Sequence, residues 1–256
     1  VSGGPSRRLV LGPAEWSVLT GDRLPAAPPA FRAGPVDGRA WDAAAATLAR
    51  RGVLTADGAH PVPAVSADLA LLRDPLLTVR LTVAGPGGER SGWFALGRGM
   101  VVVLLTLPGG SVELSVAPAV RLGAELARAV PAAAAVTGAP SGAEPERPPS
   151  GRLPLALLEE PSAEASDGPD ETALAGELLR RAAGSLSALV LGRTGGAVAA
   201  GQVSWLATDG GWVGLRPLAD GSARRLVDVV PVRPEELGAW VAPAVGALLE
   251  ASDDLA

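Results

Sequence analysis

The chain has 256 residues, 22 basic and 27 acidic side chains, a net charge of −5 and no cysteine. That length allows one large domain or two small ones. The acidic balance argues against a nucleic-acid-binding body, and the missing cysteine excludes disulfides and thiolate chemistry.

In chain order, Arg8–Leu11 reads as a short edge strand. Pro13 and Glu15 open a short helix that Gly21 ends, since proline at the first helical position and an early acid both favour a helix start. Leu24 to Pro35 is extended and proline-rich, with Phe31 tucked into the core. Trp41, Ala44, Ala45, Leu48 and Ala49 follow a three-to-four spacing, so Arg39–Arg51 is predicted as an amphipathic helix closed by Gly52. Val53-Leu54 and Asp57-Gly58 make an exit and a turn. Ser66 is the expected N-cap of a helix through Arg73, with Leu69 and Leu72 inward and Pro75 beyond it.

Leu77–Ala84, Ser91–Leu96, Met100–Leu107 and Ser111–Val116 then read as four strands joined by glycine-rich turns, an antiparallel meander. Met100–Leu107 lacks polar alternation until Thr106 and is expected to be buried on both faces. Pro118–Val130 is a predicted helix offering Val120, Leu122, Leu126 and Val130 for packing. Pro131–Arg152 reads as a flexible connector, Leu153–Leu158 as an apolar island and Glu159–Pro169 as an acidic loop. Asp170–Ala183 is a helix with Leu174, Leu178 and Leu179 on one face. Ser187–Gly192, Ala197–Ala207, Gly211–Leu218 and Arg224–Pro231 make a second meander. Pro234–Glu250 closes the chain as a helix that Pro243 should kink or split, and 251–256 should fray.

The two meanders resemble each other. Trp93-Phe94-Ala95 matches Trp205-Leu206-Ala207, and at the same offset Gly99 meets Gly211, Val101 meets Val213 and Gly109 meets Gly221. A quasi-two-fold body follows: a first α+β half over 1–130, a connector over 131–169 and a second half over 170–256, all within one domain. A single continuous sheet is the favoured arrangement.

Catalytic motifs are missing. His60, the only histidine, sits in a turn-like stretch and reads as a solvated loop residue. No nucleophile elbow, paired-histidine metal motif or Walker lysine occurs. The glycine clusters at Gly85–Gly88 and Gly192–Gly196 read as hairpin turns rather than phosphate loops. The acid pairs Glu159-Glu160, Glu235-Glu236 and Asp253-Asp254 read as solvated or helix-capping, because adjacent helical acids point to different faces. The chain lacks lysine, so the arginine bias reflects a high-GC, actinobacterial kind of codon usage rather than a phosphate site. No enzyme, cofactor or metal is expected. The longest apolar run has strand length, and no segment resembles a signal peptide, so the expected location is the cytosol. Of the tryptophans, Trp41 and Trp240 are expected in the core. Trp212 follows a hairpin turn and is a candidate binding anchor, as interfaces are enriched in Trp.

The opening Leu9-Val10-Leu11, Glu15-Trp16-Ser17-Val18-Leu19, Leu24-Pro25 and the Trp41 helix ending Leu48-Ala49-Arg50-Arg51-Gly52-Val53-Leu54 resemble the EspG family. The Asp68-Leu69-Ala70-Leu71-Leu72 helix and the meander from Trp93 to Val116 continue the likeness. The resemblance implies an α+β fold with a central antiparallel β-sheet and two helical subdomains about a quasi-two-fold. It implies a cytosolic chaperone of type VII (ESX) secretion that masks the apolar tip of a PE/PPE-like or WXG100-like helical-hairpin client. The family's contact surface is the sheet, the loop between the first two meander strands and the C-terminal helices. Here that loop is Gly85, Pro86, Gly87, Gly88, Glu89 and Arg90, and the helices span 234–249 with Leu237, Trp240, Val241 and Val245. An apolar surface patch is expected beside that loop. The other reading is a self-associating structural or regulatory protein, a homodimer without a secretion client.

Overall fold

The computed structural model describes residues 7–25, 27–138, 146–159, 168–194, 197–218 and 225–253. Strand β1 (Arg7–Leu11) leads into helix α1 (Pro13–Thr20), where a Glu15 carboxylate oxygen accepts from the Gly12 N–H at 2.9 Å. That bond satisfies one of the donors a helix start leaves over. Phe31 is buried as expected. Helix α2 (Gly38–Arg50) is capped by the Asp37 carboxylate, which accepts from the Ala40 N–H at 2.8 Å, and it gives way to Gly52 at φ 67°.

Trp41 departs from expectation and is 41% exposed. The buried stripe of α2 holds only Ala44 and Leu48, and Trp41 borders an open depression beside Val18, Arg23 and Leu54. Helix α3 (Pro63–Arg73) starts earlier than predicted. Pro63 takes the first position, and the Ser66 hydroxyl donates to the Pro61 carbonyl at 3.1 Å instead of capping.

The first meander is β2 (Leu77–Gly85), β3 (Gly88–Gly97), β4 (Met100–Thr106) and β5 (Val112–Pro118). Arg98 and Gly99 join β3 to β4 with φ of 53° and 74°, the left-handed pair that a tight hairpin turn needs. A 3₁₀ turn over Ala119–Arg121 precedes α4 (Leu122–Ala129). Val120 lies on that turn and is 93% exposed, so it does not pack as predicted.

The stretch read as a connector carries three elements: α5 (Ala133–Thr137), β6 (Gly151–Pro154) and α6 (Ala156–Glu159). Few apolar residues serve them, but Ala133, Val136, Leu153 and Leu157 are all buried. The positions 139–145, Glu160 through 167, Gly195-Gly196, Arg224 and 254–256 lie outside the described residues. Helix α7 (Pro169–Arg181) buries Ala175, Leu178 and Arg181, leaving Leu179 exposed. Its last residue donates to the Asp209 carboxylate at 2.7 Å, to Glu177 at 2.9 Å and to the carbonyls of Glu146 and Arg147 at 3.2 Å. The chain ends through β7 (Gly184–Thr194), β8 (Ala197–Thr208), β9 (Gly211–Pro217), β10 (Leu226–Val232) and α8 (Leu237–Asp253). Helix α8 runs on through Pro243 rather than splitting there. Pro243 is exposed, so the carbonyl deprived of a donor is on the side where water can replace it.

The strands form one ten-stranded sheet in the order β1-β5-β4-β3-β2-β7-β8-β9-β10-β6, every pair antiparallel. The halves meet at β2 and β7, where Leu81 faces Ala188 and Thr82 faces Ser187. The quasi-two-fold therefore passes through this junction, and β6 belongs with the second half. The repeat read from the tryptophans is one residue out of step with this symmetry. Trp93 pairs with Arg80 and packs in a different core from Trp205, which pairs with Leu186. Phe94, fully buried beside Val79, holds the place equivalent to Trp205. A one-residue shift in a strand moves a side chain to the opposite face.

One face of the sheet carries a continuous core from Ala117 across Phe94, Val79, Val190 and Trp205 to Trp212 and Val232, roofed by α4, α5 and α8. The other face carries two separate cores. Helices α1 to α3 cover β1, β5, β4 and β3, and α6 and α7 cover β6, β10 and β9. Among the described residues, no helix covers the centre of that face between these two helical subdomains.

Candidate partner-binding surfaces

The Gly85–Arg90 segment is a tight hairpin rather than a loop. Gly85 ends β2, Pro86 and Gly87 turn, and Gly88, Glu89 and Arg90 already belong to β3, with Glu89 opposite Ala84 and Arg90 opposite Val83. The side chains of Glu89 and Arg90 are exposed. Gly85 has a second role beside the turn. A Cβ there would come within 2.5 Å of the Val136 carbonyl, so α5 seats against the hairpin base only because the residue is glycine. Arg90 borders a small cavity of about 160 Å³ that also touches Glu113 and Arg128.

The C-terminal helix divides into a hidden and an accessible side. Leu237 and Val241 are 0% and 1% exposed and press α8 onto the sheet. Trp240 and Val245 are half-buried. The Trp240 ring occupies the space above Gly214, where a Cβ would meet it at 2.4 Å. It stands edge-on to Trp205 at 5.9 Å, with the Arg216 guanidinium 4.6 Å over its centre. Trp212 is 3% exposed, and its indole N–H donates to the Pro131 carbonyl at 2.9 Å. Trp212, Leu237 and Val241 thus hold the fold together, while Trp240 and Val245 show an edge to solvent. Strand pairing places Gly214 in the same row as Val83, so the hairpin and the Trp240 end of α8 share one end of the sheet, with α5 between them.

Sequence reasoning missed a cleft on the uncovered strip. It holds about 420 Å³ and is lined by Leu76, Thr78, Arg80, Trp93, Leu191 and Val198, with the end of α3 as one wall. Leu76 and Val198 are 50% and 71% exposed. The signal was present in β2, where Leu77, Val79, Leu81 and Val83 alternate with Thr78, Arg80 and Thr82. That period of two marks a strand with one face left open. The cleft lies by Leu77, at the far end of β2 from the hairpin. Among the described residues, the exposed large apolar side chains are Val10, Trp41, Leu76, Val120, Leu179 and Val198. None is on the hairpin, so the patch expected beside it is found at the opposite end of the strand.

His60 is exposed in a turn where its backbone N–H reaches the Thr55 hydroxyl at 3.2 Å. Among the described residues no helix is long and apolar enough to cross a membrane.

No curated protein matches this sequence. The structure is similar to that of the type VII secretion system chaperone EspG5 of Mycobacterium tuberculosis, solved in complex with a PE25-PPE41 dimer. The TM-score is 0.63 at 13% sequence identity, over 96% of this chain and 97% of that one. At that identity the likeness speaks for the fold alone. The sequence model of the EspG family matches residues 16–242, and the chain belongs to that family.

Proposed function

We propose that this protein is a cytoplasmic chaperone of type VII secretion. It binds the apolar tip of a helical-hairpin client of the PE/PPE or WXG100 kind and keeps it soluble for export. It works by binding, not by turnover, and needs no cofactor. The observation that carries the reading is EspG family membership over 16–242. Two further features support it. The fold is similar to that of a chaperone solved with a PE–PPE dimer, and the sheet leaves an apolar cleft uncovered between its helical subdomains. An exposed Leu- or Phe-rich tip drives aggregation, and an apolar surface rimmed by charge covers it. The hairpin with Glu89 and Arg90, and the accessible edge of α8 at Trp240 and Val245, are the flanking contacts we assign to the client.

Co-expression with the small helical proteins encoded nearest the gene, followed by size-exclusion chromatography with light scattering, tests the proposal. The expected result is a stoichiometric complex with one of them, weakened at least tenfold by the paired reversal Glu89→Arg, Arg90→Glu. Failure of every neighbour to co-purify, with the protein instead a concentration-dependent dimer, would move the function to self-association.

A further inference from the structure

Beside its apolar walls the uncovered cleft is lined by Arg73, Asp74, Thr78 and Arg80. Arg80 stands in its middle, on β2 between Trp93 of β3 and Leu189 of β7. Its side chain is exposed, and among the described residues no hydrogen bond or ion pair engages it. Most arginines with defined partners here are tied down: Arg7 to Asp68, Arg51 to Glu15, Arg128 to Glu113 and Glu125, and Arg181 to Asp209. Among the described lining residues Asp74 is the one carboxylate, against the guanidiniums of Arg73 and Arg80, and no ion pair joins it to Arg80. Trp93 also lines the cleft; it is 3% exposed and its indole N–H is buried, so its resonance reports on what fills the cleft without offering a bond.

A site with two guanidiniums, Arg73 and Arg80, against one carboxylate, walled by Leu76, Leu191 and Val198, is complementary to one kind of occupant. We infer that the cleft takes a client segment in which a carboxylate side chain stands beside leucine-like residues. The carboxylate meets the Arg80 guanidinium, and the apolar neighbours fill the walls. A guanidinium suits this role because its planar fork binds both carboxylate oxygens, and the apolar surroundings strengthen the pair as water leaves. An apolar segment with an uncharged amide in the same position leaves the cation unmatched, and binds less well. This inference rests on the chaperone reading for the identity of the occupant, but its chemistry can be tested without a client.

The probes are two blocked tetrapeptides, acetyl-Leu-Leu-Asp-Leu-amide and its Asn counterpart, titrated into the full chain labelled with ¹⁵N. The indole N–H resonance of Trp93 is identified by its loss in Trp93→Phe. The Asp peptide is expected to shift that resonance and to bind at least fivefold more tightly than the Asn peptide. In Arg80→Gln, a surface change that leaves the core untouched, the preference should vanish. Equal affinity for both peptides, a preference surviving in Arg80→Gln, or an unmoved Trp93 resonance would each overturn the inference. A client captured by co-expression would leave the chaperone reading standing in any of those cases. Conversely, Asp selectivity without a captured client would sink that reading and keep the cleft chemistry.

Discussion

The six tryptophans show how far a single residue can be read. On sequence, Trp41 and Trp240 look alike, each on an apolar helix face. In the fold, Trp41 is 41% exposed, while Trp240 is half-buried against Trp205, itself 0% exposed and in touch with Trp212 as well. The difference arises from the partners across the gap, which helical spacing does not encode. Trp205→Ala should therefore cost about 3–5 kcal/mol of stability, the range for large aromatics removed from a core. Trp41→Ala should cost well under half of that. Urea unfolding followed by circular dichroism measures both, and similar losses for the two variants would contradict this placement. The residue scale also explains why the repeat was only half legible. The shared Trp-x-Ala signature aligns Trp93 with Trp205, but the pleat sets Phe94 in the place of Trp205. Identity of residues is no guide to identity of face when one position separates them.

Among elements, the meanders were legible and the middle of the chain was not. Alternating or β-branched runs broken by glycine turns carry their own signature, and the strands of both halves lie close to where the sequence puts them. The 131–169 stretch has a loop-like composition, yet α5, β6 and α6 form within it. What organises them is long-range. Leu153 lies opposite Val227 as β6 pairs with β10, and Val136 closes onto Gly85 and Gly184. A short strand is stable when its few apolar residues complete a core supplied by other elements. Leu153→Ala should thus destabilise the whole protein by about 2–5 kcal/mol, as a buried Leu does in a packed core. A melting temperature unchanged by that substitution would show the segment to be the dispensable connector its composition resembles. The hairpin turn at 85–88 is legible in its glycines, but the returning strand starts at Gly88 rather than Ser91, because the turn-forming residues conceal how soon pairing resumes.

As a whole molecule, one sheet does two jobs. Its roofed face, a single core shared by both halves, ties the quasi-symmetric units together through β2 and β7. Its other face is divided, and the gap between the two helical subdomains exposes Arg80 and the apolar cleft. The repeat points to a quasi-two-fold arrangement about one sheet, and the family likeness supplies the α+β class and the partner class. The location of the cleft needed the paired register of β2, β3 and β7, which no local pattern specifies. The central claim is that a client tip seats on this open face. Hydrogen–deuterium exchange tests it most directly, comparing the free protein with its complex with whichever neighbour-encoded helical protein co-purifies. Backbone amides over 76–82 and 189–192, together with the 85–90 hairpin, should slow at least tenfold on binding, while α1 and α2 stay unchanged. Protection confined to the edge strands β1 and β6, or none at all, would contradict the account.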